Sequence, residues 1–114
     1  MGAHPQRGNM KLTIPERLII LGLLPNKSNY VDMVVIQEFR TELGFNEKEL
    51  SETGLTLKDG KFIWNKDTNK EIKISEKRKE IIEKSIKKLD KQEAITPEMV
   101  GVIKKLKINM TKDE

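Results

Sequence analysis

The segment LTLKDGKFIW, residues 55–64, carries the strongest local structural signal in the chain. Apolar and polar residues alternate on both sides of Asp59-Gly60, a pattern typical of two strands joined by a two-residue turn. In that register the apolar residues pair across one face of the hairpin: Leu57 with Phe62, and Leu55 with Trp64. The alternating segment EIKI, residues 71–74, predicts a third short strand. Because an isolated hairpin is only marginally stable, we expect a three-stranded antiparallel sheet that packs this apolar face on helices.

Helix signals flank the predicted sheet on both sides. A capping box formed by Thr13 and Glu16 begins an apolar helix that ends before Pro25. Further helices are predicted at about residues 30–43, 47–53 and 76–93, and again after Thr96-Pro97. Helical periodicity predicts the core positions of three of these helices. They are Val31, Val35, Ile36, Phe39 and Leu43 in the helix at about 30–43; Ile81, Ile82, Ser85, Ile86 and Leu89 in the helix at about 76–93; and Met99, Val102, Ile103 and Leu106 in the last helix. The predicted fold is α+β, with helices flanking a small three-stranded antiparallel sheet that contains the Asp-Gly hairpin.

The two ends of the chain differ from its body. Residues 1–9 contain two glycines and a proline and little that can pack, and Met10 offers a natural start. We therefore interpret residues 1–9 as a disordered leader or cloning remnant. Residues 10–108 form a single predicted domain, and residues 109–114 a tail that frays.

The body of the chain lacks the residues on which most enzyme chemistry depends. From Met10 to Glu114 there is neither Cys nor His, and the one histidine of the chain is His4. This excludes disulfide scaffolds, zinc fingers and most nucleophile–base pairs. The glycines are dispersed and form neither a phosphate-binding loop nor a dinucleotide fingerprint. We predict a non-enzymatic protein that uses no cofactor and no metal.

The apolar segments are too short for a membrane protein. The longest run, LIILGLL at residues 18–24, is far below the roughly 20 residues that span a bilayer. The first apolar run also lacks the cleavage site of a signal peptide. The expected location is therefore the cytoplasm, without membrane association.

Basic charge is concentrated in the second half of this lysine-rich chain. The net charge is +4, and residues 55–114 hold 16 basic and 11 acidic side chains. Lys77, Lys84, Lys88 and Lys91 form a ridge on the long helix, and Lys104 and Lys105 lie on the last one. If these helices pack antiparallel, the lysines merge into a patch that binds phosphate backbones without reading sequence. The competing interpretation is an ordinary solvated surface.

A second candidate site is apolar. Tyr30, Met33 and Val34 lie on the side of the second helix opposite its core stripe, beside a first helix that is apolar all round. Uncovered apolar patches of this kind mark binding surfaces. The pattern favours an unidentified protein partner or a homodimer, unless another element of the same chain covers these residues.

Two nucleic-acid interpretations are weaker. The face of Leu57, Phe62 and Trp64 resembles a base-stacking platform, but a core face explains it better. The first two helices resemble a helix-turn-helix, but the would-be recognition helix is acidic and repels phosphate.

The order of segments resembles a group of short, uncharacterised proteins from bacteriophages and prophages of low-GC bacteria. The resemblance covers about residues 10–107 and rests on MKLT (10–13), ERL (16–18), LLP (23–25), LGF (43–45), EKE (47–49), WN (64–65), EIKI (71–74) and KLD (88–90). It implies a phage-encoded protein in the host cytoplasm, and it transfers neither an activity nor a site residue. The expected function is that of a small accessory or regulatory protein that binds another protein or itself. Nucleic-acid binding through the lysines is the alternative.

Overall fold

The computed structural model describes residues 9–110, in which five helices and two small antiparallel sheets form an α+β fold. In chain order the elements are β1 (Asn9–Thr13), α1 (Ile14–Leu23), α2 (Tyr30–Leu43), α3 (Glu47–Thr53), β2 (Thr56–Lys58), β3 (Lys61–Ile63), β4 (Asn69–Lys73), α4 (Glu76–Lys91) and α5 (Pro97–Lys105). Most of the predicted leader (residues 1–8) and of the predicted tail (residues 111–114) lies outside the described residues.

The helices begin at residues whose side chains satisfy free backbone N–H groups. Thr13 and Glu16 form a capping box at the start of α1, and Asn46 and Glu49 form another at α3. Asn29 and Ser75 cap α2 and α4 through their side chains, whereas Thr96 makes no such bond at α5. Local sequence therefore sets most of the helix starts.

The third predicted strand pairs with a different partner from the one expected. β4 runs antiparallel to β1, with Met10 opposite Ile72 and Leu12 opposite Lys70, so two two-stranded sheets replace the predicted three-stranded sheet. Leu12 and Ile72 are buried in this sheet. Pairing with β1 lets β4 bury its apolar positions in the helical core, and this burial outweighs extension of the neighbouring strand pair.

The β2–β3 ribbon stands apart from the core. Leu57 pairs with Phe62 and Lys58 with Lys61, and the residues between them, Asp59 and Gly60, both have positive φ angles. All six strand residues are exposed, including Leu57 at 60% and Phe62 at 48%. The expectation that this face packs on the helices is therefore wrong for Leu57 and Phe62.

The base of the ribbon explains why it stays outside. The N–H groups of Asn65 and Lys66 donate to the carbonyl oxygen of Thr53, the last residue of α3. Gly54 follows with a φ of 72°, where a side chain would collide with Asn65. These contacts bind the ribbon to the end of α3 and leave its strands clear of the core helices.

The core surrounds α1, which packs against α2, α4 and α5. Its largest cluster contains Leu12, Ile20, Leu23, Leu24, Ile36, Phe39, Leu43, Ile72, Ile74, Ile81, Ile82, Ile86, Val102, Ile103, Leu106 and Ile108. Met110 of the predicted tail also packs against it. Most predicted core positions of α2, α4 and α5 are therefore buried or half-buried.

Val31 is the exception among the predicted core residues, since it is 66% exposed. The inward position in the first turn of α2 belongs instead to Asp32, which is buried and lies 2.9 Å from Nζ of Lys77 in α4. Because Asp32 pairs with Lys77 across the interface between α2 and α4, the adjacent Val31 faces solvent.

Arginine side chains join the ends of helices. Arg17 of α1 is fully buried, donates to the carbonyl oxygens of Leu43 and Gly44 at the end of α2, and pairs with Glu49 of α3 at 2.8 Å. Its guanidinium carbon lies 3.9 Å from the centre of the Phe45 ring. These bonds satisfy carbonyl groups that a helix end leaves without an internal partner.

Two further arginines also join separate elements. Arg40 of α2 donates to the carbonyl oxygens of Leu24 and Pro25, just after α1. Arg78 of α4 holds both carboxylate oxygens of Glu42 at 2.7 and 2.8 Å. The arginines of the described chain therefore stabilise the contacts between its elements.

Candidate binding surface

An apolar groove of about 540 Å³ runs along the outer side of α1. Pro15, Leu18, Ile19 and Gly22 follow helical spacing and form one side of it. Leu23, the last residue of α1, also lines the groove. The other lining residues come from the ribbon base, the end of α4 and the start of α5: Trp64, Leu89, Thr96, Glu98 and Met99. The all-round apolar character of α1 thus has two causes, because one side packs in the core and the other lines this groove.

The ribbon extends this apolar surface. Trp64 directly follows β3, and strand alternation places it on the same side as Phe62 and its cross-strand partner Leu57. Trp64 is half-buried and lines the groove, while Leu57 and Phe62 are exposed. We call the groove residues together with Leu57 and Phe62 the groove–ribbon surface.

Gly22 leaves the groove open near the end of α1. A Cβ atom built on Gly22 meets no atom within 4 Å, so a larger side chain there has free space to occupy. The same is true of Gly101, which lies in α5 and does not line the groove. These two glycines therefore form a matched pair for testing the surface.

The charges of the ribbon are mainly positive. Lys58 and Lys61 are exposed and face each other across the strands, and Lys66 is exposed just after the ribbon. Asp59, in the turn, is the one acidic residue of the segment 55–66. Strand alternation places Lys58 and Lys61 on the face of the ribbon opposite Leu57 and Phe62, so this positive charge lies behind the apolar surface.

The partner-binding residues predicted from sequence lie elsewhere, at the start of α2. Tyr30 is 82% and Val34 is 42% exposed, whereas Met33 is half-buried and packs against the core. The exposed Val31 lies beside Tyr30 and three residues before Val34. Tyr30, Val31 and Val34 thus form a small patch, which we call the α2 patch.

The lysines predicted to bind nucleic acid are not equally free. Lys77 lies 2.9 Å from Asp32 and 3.4 Å from Glu80, and Lys105 lies 2.8 Å from Glu16 and donates to the carbonyl oxygen of Lys11. Lys84, Lys88, Lys91 and Lys104 are exposed. Lys77 is thus drawn towards α2 and Lys105 towards β1 and α1, so these two ammonium groups contact different elements.

The paired carboxylates have lowered pKa values. The hydrogen bond from Lys77 is the main cause that lowers the pKa of Asp32, and the same bond raises the pKa of Lys77. Partial burial tends to raise the pKa of Glu16, but bonds from Lys105 and Thr13 bring that pKa below its ordinary value. These pairs stay ionised near neutral pH and serve the fold.

Sequence reasoning missed the groove, although one signal was visible. A glycine at position 22 interrupts an otherwise apolar helix, which costs about 1 kcal/mol relative to alanine. A glycine on an apolar helix face indicates either close packing or an opening, and only the arrangement of Trp64 and α5 decides between them.

No protein-family model matches the chain, and comparisons with curated proteins and with solved structures find no match either. Within residues 9–110, no cluster of three or more His, Cys, Asp or Glu side chains is placed to hold a metal ion. None of the helices in that range is both long and apolar enough to cross a bilayer.

Proposed function

We propose that this protein is a non-enzymatic recognition module that binds an amphipathic segment of another protein on the groove–ribbon surface. The observation that carries the proposal is the continuity of an open apolar groove with two exposed apolar side chains, Leu57 and Phe62. Exposed apolar surface is costly in water, and a contiguous patch beside a groove is typical of an interaction site. The resemblance to phage and prophage proteins makes a host protein the expected partner.

The dimensions favour an inserted segment over a flat dimer. The groove has ten lining residues, whereas a standard interface involves roughly 20–30 residues on each side. Its α1 side, from Pro15 to Leu23, is about 12 Å long at 1.5 Å per residue, or about two helical turns. A helix that places apolar side chains at spacings of three and four residues fits such a groove.

The charges define the partner further. Lys58 and Lys61 lie on the face of the ribbon opposite Leu57 and Phe62, and Lys66 follows the ribbon, so their positive charge reaches a bound partner at the edge of the ribbon. Acidic residues of the partner that extend past this edge would gain favourable electrostatic interactions with these lysines and speed association. The proposed partner segment is therefore apolar on one face and acidic at its edge.

The α2 patch remains a proposed second contact. Tyr30 and Val34 are exposed, so Val34→Asp introduces a charge into solvent rather than into the core. We expect this variant to fold normally and to weaken association if the partner also reaches α2.

A displayed library of random peptides tests the proposal without a known partner. Selection on the wild-type protein should enrich peptides with helically spaced apolar residues and acidic flanks. Gly22→Gln, which places a side chain in the groove, should weaken binding of these peptides at least about tenfold, or 1.4 kcal/mol. Gly101→Gln is the matched control, since it also replaces a helical glycine facing open space but lies off the groove.

Two results would contradict this function. One is a selection that enriches no common pattern, and the other is equal binding to Gly22→Gln and Gly101→Gln. Phe62→Ser provides an independent check on the ribbon half of the surface, where a loss of binding is expected without a loss of fold.

A further inference from the structure

A second, smaller cleft lies between α4 and the loop that joins α1 to α2. Its volume is about 160 Å³, and its lining residues are Pro25, Ser28, Asp32, Ile81, Lys84, Ser85 and Lys88. Small-molecule sites typically measure about 300–1,000 Å³, so this cleft has room for a chemical group rather than a whole cofactor.

The cleft gathers hydrogen-bond donors that the fold itself does not use. Lys84 and Lys88 are one helical turn apart on α4 and therefore share a face. Ser85 lies between them in sequence, and Ser28 lines the cleft from the opposite loop. Within residues 9–110, the ammonium group of Lys88 and the hydroxyl groups of both serines make no hydrogen bond or ion pair.

The one carboxylate in the cleft is already ion-paired. Asp32 is buried and bonded to Lys77 at 2.9 Å, and Lys77 also contacts Glu80 at 3.4 Å. The Glu80–Lys84 pair that helical spacing favours is replaced by this Glu80–Lys77 contact. Lys84 is therefore left without a hydrogen-bonded carboxylate, although it lies near enough to Asp32 to stabilise that negative charge.

We propose that this cleft binds a phosphate monoester group. Such a group carries about −1.5 to −2 charges at pH 7 and three acceptor oxygens. Two lysine ammonium groups and two serine hydroxyl groups match that charge and that number of acceptors. The site is distinct from the groove–ribbon surface, with which it shares no lining residue.

Amide chemical shifts measured during titration with inorganic phosphate, at constant ionic strength, test the site. We expect saturable shifts at Ser28, Lys84, Ser85 and Lys88, and a Kd at least tenfold weaker in Lys84→Gln/Lys88→Gln. Lys87→Gln is the matched control, because Lys87 is on the same helix and is ion-paired with Glu83 at 3.0 Å outside the cleft. Its Kd should equal that of the wild type.

The source of the phosphate is distinguished by a second probe. A 5′-phosphorylated oligonucleotide that binds at least tenfold more tightly than both its 5′-hydroxyl counterpart and inorganic phosphate supports the site and assigns it to a nucleic-acid end. Equal affinity for inorganic phosphate and the phosphorylated oligonucleotide supports a site for small phosphorylated ligands. The proposal is overturned if phosphate causes no saturable shift, or if Lys87→Gln weakens binding as much as the cleft variant does.

Discussion

Arg17 shows how much of this fold depends on single polar side chains. It lies in an apolar stretch of α1, and its guanidinium reaches α2, the Phe45 ring and Glu49 of α3. A planar group with five donors can serve these partners at once, and a lysine cannot. The sequence alone could not predict the burial of Arg17, because a single arginine in a helix gives the same sequence pattern whether its side chain is buried or exposed.

Replacing Arg17 should therefore be strongly destabilising. Arg17→Met removes the guanidinium donors from Glu49 and from two carbonyl groups, and we expect a loss of about 3–5 kcal/mol in the free energy of unfolding. Urea denaturation followed by circular dichroism measures it. Arg17→Lys should restore little of this loss, and a wild-type unfolding midpoint in Arg17→Met would show that the pair does not stabilise the fold.

The same ion pairs predict a loss of stability in acid. Hydrogen bonds from Arg17 and Arg78 lower the pKa values of Glu49 and Glu42, respectively, and outweigh the opposing effect of partial burial. A carboxyl group with a lowered folded-state pKa stabilises the protein above its unfolded-state pKa, about 4.3, and this contribution is lost as the pH falls through the folded-state value.

Urea unfolding between about pH 6 and pH 2 should record that loss. The double variant Glu49→Gln/Glu42→Gln should be less stable than the wild type at the upper end of this pH range, but it should lose less stability as the pH falls. Parallel pH profiles for the two proteins would rule out these carboxylates as the source of the acid sensitivity.

At the scale of elements, the strands show that a local signal and a structural role are separate properties. The β2–β3 ribbon has the clearest strand pattern in the chain, yet its residues are exposed. β1 shows only a brief alternation at Met10, Lys11 and Leu12, yet Leu12 is buried. Alternation of apolar and polar residues predicts that one face of a strand is apolar, but it does not predict which element covers that face.

This contrast predicts that shortening apolar side chains has a small effect in the ribbon and a large effect in β1. Leu57→Ser/Phe62→Ser should change the free energy of unfolding by no more than about 0.5 kcal/mol for each exposed site. Leu12→Ala should cost about 2–5 kcal/mol, as expected for a large side chain in a packed core. Thermal denaturation of the two variants measures both effects, and a ribbon variant as unstable as Leu12→Ala would mean that the ribbon packs on the body.

At the scale of the whole molecule, the β1–β4 sheet links the start of the described chain to its middle. Lys11 pairs with Glu71, 60 positions later, and the backbone N–H of Ile14 donates to Asp67 across 53 positions. Contacts between residues so far apart in sequence carry a large loop-closure cost, which the burial of neighbouring elements must offset. We therefore expect the sheet, but not the ribbon, to unfold together with the core.

Native-state hydrogen exchange should separate the two sheets. The hydrogen-bonded amides of β1 and β4 should exchange only through global unfolding, with protection close to that of the core helices. The amides of β2 and β3 should exchange much faster through local opening, because exposed backbone bonds with little apolar cover open independently. Equal protection in both sheets would place the ribbon within the same cooperative unit.

Sequence alone determined the features that depend on neighbouring residues. The helix starts at Thr13, Asn46 and Ser75, the end of α1 before Pro25 and most core positions of the long helices follow from capping, backbone restriction and periodicity. These are short-range effects, so the residues that cause them stand next to one another in the chain.

Only the tertiary structure decided the partner of β4, the exposure of the ribbon, the burial of Arg17 and the opening of the groove at Gly22. Each results from competition between distant groups for the same core space. β1 covers β4 better than the ribbon does, and Asp32 takes the inward position beside Lys77 instead of Val31. The contacts behind these outcomes join residues at least 26 positions apart, and no local pattern encodes them.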